Sequence, residues 1–298
     1  MNNHIVNGVF EGGGVRGVAL AGAAAATLDH GYTFEHVVGT SAGSMVASLI
    51  SAGYDETDLS SIVCSVDWPG LLDPVSGFGI PLLGRHVALV THKGLYKGDR
   101  LEQVWGELLA EKGVRTFGDL APGSLTIVAT DLSHARGVPL PSALVDYGID
   151  PDRFSVARAV RMSASVPFLF KPVPLYDRRL GEKVLMADGA MAANYPVGLA
   201  RRDRPVLGFR LIAEGDDHTH DGIRGPASLA RSVVVAGIRA RYSLPRVHEV
   251  GAHVITVPVL ADLDFEITPN EARELFDRGR EAAASQLREL ELEIETFV

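Results

Sequence analysis

Ser41 is the residue of this chain best placed to act as a nucleophile. It is the centre of Gly39-Thr40-Ser41-Ala42-Gly43, a Gly-x-Ser-x-Gly pattern. Such a pattern holds serine on a sharp strand-to-helix turn in a strained backbone, where small neighbours let the chain pass close. At a helix start, free N–H groups and the dipole favour developing negative charge. The flanks suit this reading. Val37-Val38 read as a short strand before the turn, and Ser44 to Ala52 as a helix after it, with Gly53 past its end.

A second feature is Gly12-Gly13-Gly14-Val15-Arg16-Gly17, directly after a strand expected over Ile5 to Phe10. It fits the dinucleotide-binding pattern Gly-x-Gly-x-x-Gly, which requires an acid about 20 residues on, at the end of the second strand. Here that strand ends in Gly39-Thr40-Ser41, and Glu35 precedes it. The ribose partner is missing. Three consecutive glycines can instead turn backbone N–H groups toward the oxyanion of an acyl transfer, each such donor stabilising the transition state by about 2.7–4 kcal/mol.

A serine nucleophile needs a base, most often histidine. His86, His92 and His134 fall in loop-like stretches, His218 and His220 in a polar loop, and His248 and His253 late in the chain; none has distinctive surroundings. Carboxylates at strand ends are better placed, because α/β sheets carry chemistry at the carboxyl ends of their strands. Asp131 after Leu125–Thr130 and Asp188 after Val184–Ala187 both qualify, and position does not separate them. Gly189 gives Asp188 one local advantage, a tight turn that aims its carboxylate.

The elements that must position these groups alternate between β-rich runs and helical stretches, the pattern of an α/β fold: three layers, with a mostly parallel central sheet and helices on both faces. Val18 to Leu28 reads as a helix ended by Gly31. Val206–Ile212 and His253–Val257 read as later strands, and Glu271–Thr296 as an amphipathic helical tail that packs on the domain or on a second subunit. Asp67 to Arg85, with its prolines and glycines, reads as an apolar loop or cap. One domain is expected over 1–298, with the motifs in about 5–200 and the later strands and tail in about 201–298.

Composition narrows the function. Of 298 residues, 46% are hydrophobic and 22% charged, an ordinary globular mix. A net charge of −9 argues against nucleic acid and against adhesion to anionic membranes by charge alone, while permitting apolar contact. Cys64 is the only cysteine, so no internal disulfide forms, and neither a cysteine set nor a close histidine pair offers a metal cage. No basic start with an apolar run suggests a signal peptide, and no run is long enough to span a bilayer. A cytoplasmic chain, peripheral at most on a membrane, is expected, although non-standard export leaves no readable trace.

Taken together and in order, Gly12–Gly17, Gly39–Gly43 and Asp188-Gly189-Ala190 resemble the patatin-like phospholipase family. The stretch Ala157-Arg158-Ala159-Val160-Arg161-Met162-Ser163-Ala164-Ser165-Val166-Pro167 and the later Asn194-Tyr195-Pro196 are similar to further blocks of that family. The resemblance spans Val9 to about Pro196. It implies a Ser41–Asp188 dyad without a catalytic histidine, metal or cofactor. Ser41 forms an acyl-enzyme, and Asp188 accepts its proton and then activates water. Backbone N–H groups of Gly12, Gly13, Gly14, Val15 and Ala42 form the oxyanion hole. Arg16 either attracts a phosphate head group or anchors the loop, the anchoring role being favoured. The substrate is a lipid, phospholipid or lysophospholipid ester.

An acyl chain needs an apolar groove. Trp68–Leu83 and Pro167-Phe168-Leu169-Phe170 are candidates for its wall, against the plainer reading that most of them are core. Arg231, Arg239, Arg241 and Arg246 suit either lipid phosphates or a solvated helix face. Three rival functions share these features: an acyltransferase using the same acyl-enzyme, a nucleotide-binding protein using Gly12–Gly17, and a lipid-binding protein without turnover.

Overall fold

The computed structural model describes residues 4–75, 93–214, 229, 232–233, 236–237, 251–260 and 267–296. In chain order the strands are β1 (His4–Phe10), β2 (Tyr32–Thr40), β3 (Gly94–Tyr96), β4 (Leu125–Asp131), β5 (Arg136–Leu140), β6 (Phe168–Phe170), β7 (Val173–Asp177), β8 (Glu182–Asp188), β9 (Val206–Glu214) and β10 (Ala252–Leu260). The helices are α1 (Gly17–Asp29), α2 (Ala42–Ser51), α3 (Glu56–Ser65), α4 (Asp99–Glu111), α5 (Val156–Ser163), α6 (Ala190–Ala193) and α7 (Pro269–Thr296).

Eight strands form one sheet in the order β10-β9-β1-β2-β4-β8-β7, with β5 also on β4. The first five are parallel, as the alternating pattern predicts. The β4–β5, β4–β8 and β7–β8 pairs are antiparallel, an arrangement the pattern did not reveal. β3 and β6 pair separately. The later strands β9 and β10 extend the sheet beside β1.

Alternation sets the two faces. Val6 and Phe10 of β1 enter the main core, where the Phe10 and Phe209 rings stack at 4.6 Å between centroids. Val9 points the other way, into a smaller cluster with Val197, Ala200 and Val206. α1 is buried along nearly its whole length because α7, α3 and α2 all pack on it. A side chain at Gly22 would overlap the Phe276 carbonyl, and one at Gly279 the Ala19 carbonyl. Close backbone approach therefore docks the C-terminal helix on α1, one of the two places open to it in the sequence.

Trp68 and Leu71 are core, and a single 3-10 turn spans Pro69–Leu71, so the plainer reading holds for the start of the Asp67–Arg85 stretch. Residues 76–85 of that stretch, with Phe78, Ile80, Leu82 and Leu83, lie outside the described residues, as do Arg231, Arg239, Arg241 and Arg246.

Candidate active site

Strand register brings Ser41 and Asp188 together. Both β2 and β8 pair with β4, on the edge opposite β5, because β5 shares Ile127 and Val128 with β2 and Ala129 to Asp131 with β8. β2 runs parallel and stops with Thr40 opposite Val128. β8 runs antiparallel and stops with Asp188 opposite Ala129. Their carboxyl ends thus abut on successive residues of one strand.

The Ser41 hydroxyl donates to Asp188 Oδ2 at 2.7 Å, and both side chains are buried. Ser41 stands at φ 53° and ψ −123°, a backbone conformation that costs about 1–3 kcal/mol and persists only where neighbours enforce it. A Cβ on Gly39 would overlap the Gly43 carbonyl, and one on Gly43 the carbonyls of Phe10 and Glu11, so the elbow's flanking glycines are required by close approach.

Asp188 is 1% exposed. Burial raises its carboxyl to about 6, against hydrogen bonds from the Ser41 hydroxyl and the Ala190 amide that lower it. Asp131, the other strand-end acid, is committed elsewhere. It accepts from His134 Nδ1 and the Tyr147 hydroxyl, each at 2.8 Å, and from the amides of Ser133 and His134. Burial raises its carboxyl, but the bonds from His134 and Tyr147 outweigh that and hold it below the usual range. Two acids at strand ends are driven in opposite directions, and only the raised one faces the serine.

Among the described histidines, His36 bonds Thr126 and the Arg201 amide, His30 bonds the Ala26 carbonyl and His134 bonds Asp131; His253 is exposed. None bonds Ser41 or Asp188. His86, His92, His218, His220 and His248 lie outside the described residues.

The glycine run divides its work. The Gly12 N–H donates to the Asn194 carbonyl at 3.0 Å. That bond corrects the expectation that Gly12 faces an oxyanion. A Cβ there would instead overlap Asn194 Oδ1 and press on the Ser41 Cβ at 3.2 Å. Gly14 adopts φ 59°, open to glycine, and turns the chain. Among the described residues, the N–H groups of Gly13, Gly14, Val15 and Ala42 donate to no protein acceptor. Arg16 Nε donates to the Gly13 carbonyl at 3.3 Å, an anchoring contact within the loop. Gly17 packs directly on Ala42 and joins this loop to the elbow helix. Gly189 lies against the Val128 carbonyl, and Ala190 opens α6.

Three residues that the sequence reading gave no role, Glu11, Ser163 and Asn194, also organise the site. Buried Glu11 accepts from the Leu211 amide and from Asn194 Nδ2, tying the glycine run to β9 and to the segment after Asp188. Ser163, at the end of α5, accepts from the Ser41 N–H at 2.8 Å and donates to the Val128 carbonyl at 2.6 Å. Its own carbonyl accepts from the Gly189 N–H at 3.1 Å. One residue thus ties the elbow to β4 through its side chain and to the turn after Asp188 through its carbonyl, and the family-like block 157–167 supplies it. Ser163→Ala would leave the Ser41 N–H buried without an acceptor. We expect a fall in kcat of about 10- to 100-fold with KM little changed, and recovery in Ser163→Thr, read by steady-state kinetics on a p-nitrophenyl acyl ester.

Of the proposed wall, Phe170 is buried, whereas Phe168 is 37% exposed at φ 68°. No helix among the described residues is long and apolar enough to cross a membrane.

Comparison with known proteins shows the family. The family model described as patatin-like phospholipase matches residues 8–201. Protein YqhO of Bacillus subtilis is 36% identical over 280 residues, which cover 92% of this chain and 95% of that protein. The NTE family protein Mb2594 of Mycobacterium bovis is 28% identical over 65% of this chain, the match covering 28% of that protein. In structure the chain resembles VipD of Legionella pneumophila, with a TM-score of 0.55 at 18% identity, over 96% of this chain and 67% of VipD. The two motif-bearing loops, the strand-end acid and the strands β2, β4 and β8 that bring them together all lie inside the matched segment, and the chain belongs to the patatin-like phospholipase family.

Proposed function

We propose that this chain is a serine acyl hydrolase that cleaves carboxylic esters of lipids through an acyl-enzyme on Ser41. The observation that carries the reading is the 2.7 Å hydrogen bond from the Ser41 hydroxyl to Asp188 Oδ2, on a carboxyl raised to about 6. A base in that range is mostly ionised at neutral pH yet basic enough to draw a proton in the transition state.

In the first half-reaction Ser41 Oγ bonds to the ester carbonyl carbon as its proton passes to Asp188. The oxyanion that forms is held by the N–H groups of Gly13, Gly14, Val15 and Ala42. The tetrahedral species collapses, the carbon–oxygen bond to the alcohol breaks, and the Asp188 proton leaves with the alcohol. Water then attacks the acyl-Ser41 carbonyl, giving its proton to Asp188. Collapse returns a proton to Ser41 Oγ and frees the carboxylic acid. The net charge of −9 suits capture of substrate by apolar contact rather than by charge.

A panel of phospholipids, lysophospholipids and neutral acyl esters tests the reading, with glycerol competing against water as acceptor. The expected result is free fatty acid as the main product from wild type and none from Ser41→Ala. Acyl-glycerol as the main product would make the chain a transferase, and equal release from Ser41→Ala would remove the serine mechanism.

A further inference from the structure

A hollow away from the dyad is lined by three arginines, two near the start of α5 and one just past the end of β7. Arg153 comes from the turn before α5, Arg158 from the first turns of α5, and Arg178 directly follows β7; together they line a cavity of about 500 Å³. That volume falls in the range of small-molecule sites. In the β7–β8 hairpin Val173 pairs with Met186 near the Asp188 end, and Asp177 pairs with Glu182 at the other. Arg178 therefore sits at the end of the hairpin remote from Asp188.

The charge there is not neutralised by the fold. The whole chain carries 37 acidic against 28 basic residues, yet the cavity lining carries three arginines against one carboxylate, Asp150. Among the described residues no carboxylate approaches Arg153 or Arg178 within 4 Å. Arg158 is held in place: Nη2 donates to the Pro174 carbonyl at 2.9 Å, and Nη1 lies 3.7 Å from Glu102. A fixed guanidinium in one cavity with two arginines that lack a carboxylate partner suits the planar, two-pronged recognition of phosphate oxygens. Buried Phe154 and half-exposed Tyr176 give the same hollow an apolar side for the organic part of a ligand.

We propose that this cavity binds a phosphate monoester, the organic part lying against Phe154 and Tyr176 and the phosphate between Arg153, Arg158 and Arg178. The site stands apart from the dyad and does not depend on the hydrolase reading.

Calorimetric titration of the full chain with glycerol 3-phosphate forms one arm of the test. Flotation with phosphatidylcholine vesicles, with and without phosphatidic acid, forms the other. The variant is R153Q/R178Q, whose two sites are exposed, and exposed Arg273 and Arg288 of α7 supply R273Q/R288Q as a control of equal net charge. Saturable binding of glycerol 3-phosphate, weakened at least tenfold in R153Q/R178Q and unchanged in R273Q/R288Q, supports the site with a soluble ligand. The same pattern seen only with phosphatidic acid vesicles supports it with a lipid headgroup. Hydrolysis of a neutral acyl ester should be equal in all three proteins, so loss of the pocket and loss of the dyad give different readouts. No binding below 10 mM and no vesicle retention would overturn the proposal, as would binding that R153Q/R178Q leaves intact. Unchanged thermal midpoints confirm the variants' fold, and R153K/R178K, which keeps the charge, should retain part of the binding.

Discussion

Asp188→Asn should lower turnover of an acyl ester by about 10²- to 10⁴-fold, the range in which a positioned general base contributes. Asparagine fills the same volume and can still accept from the Ala190 amide, as Asp188 Oδ1 does at 2.8 Å. What it cannot do is take the Ser41 proton. The effect should fall mainly on kcat, because the carboxylate meets the serine rather than the body of the substrate. In wild type the same group sets the acid limb of the pH profile. Asp188 must be ionised to act, so kcat/KM should decline as pH falls through about 6. Steady-state rates between pH 4.5 and 8 measure both effects. A wild-type rate in the variant, or a flat acid limb, would contradict the role.

The same substitution should raise stability. The carboxyl's ordinary value is 3.8 and its folded value about 6, so the native state binds more protons than the unfolded chain between those limits. Stability linked to Asp188 is thus full below about pH 4 and is lost as pH rises through about 6. At neutral pH the buried, ionised carboxylate costs about 3 kcal/mol. Asp188→Asn removes that cost. Its unfolding free energy should exceed that of wild type by up to about 3 kcal/mol at pH 7.5, and the gain should vanish near pH 4. Urea unfolding of both proteins at the two pH values measures it. Activity and stability are predicted to move in opposite directions at one residue, as expected where a site holds a charge its surroundings disfavour.

The parts of this site that were legible in the sequence are those where backbone conformation dictates residue type. Gly39 and Gly43 around Ser41, and Gly13-Gly14 before α1, are required by close approach and by a turn, and such requirements leave a local pattern. Strands β1 and β4 and the end of β2 were readable because apolar runs lead into Gly12, Asp131 and Gly39, whereas β2 begins at Tyr32, so that Glu35, expected before the strand, lies within it. The partners that meet through tertiary packing were not. Ser163 reads as one serine in a helix, and its bond to the Ser41 amide exists only because α5 crosses behind the elbow. Glu11 and Asn194 are 183 residues apart.

Asp131 and Asp188 looked equivalent because each ends a strand. What separates them is the antiparallel register of β8, which places Asp188 opposite Ala129, beside the end of β2, while Asp131 is drawn to His134 and Tyr147. The short antiparallel strands β5 and β7 include Pro139 and Pro174 and lack the long apolar runs of the parallel core, so pattern alone passed over them.

The most direct test of the dyad is reaction with a fluorophosphonate, followed by mass mapping of the modified peptide in wild type, Ser41→Ala and Asp188→Asn. The account predicts one adduct, on Ser41, in wild type; none in Ser41→Ala; and labelling slowed by orders of magnitude in Asp188→Asn. An adduct on another residue, or labelling of Asp188→Asn at the wild-type rate, would contradict it.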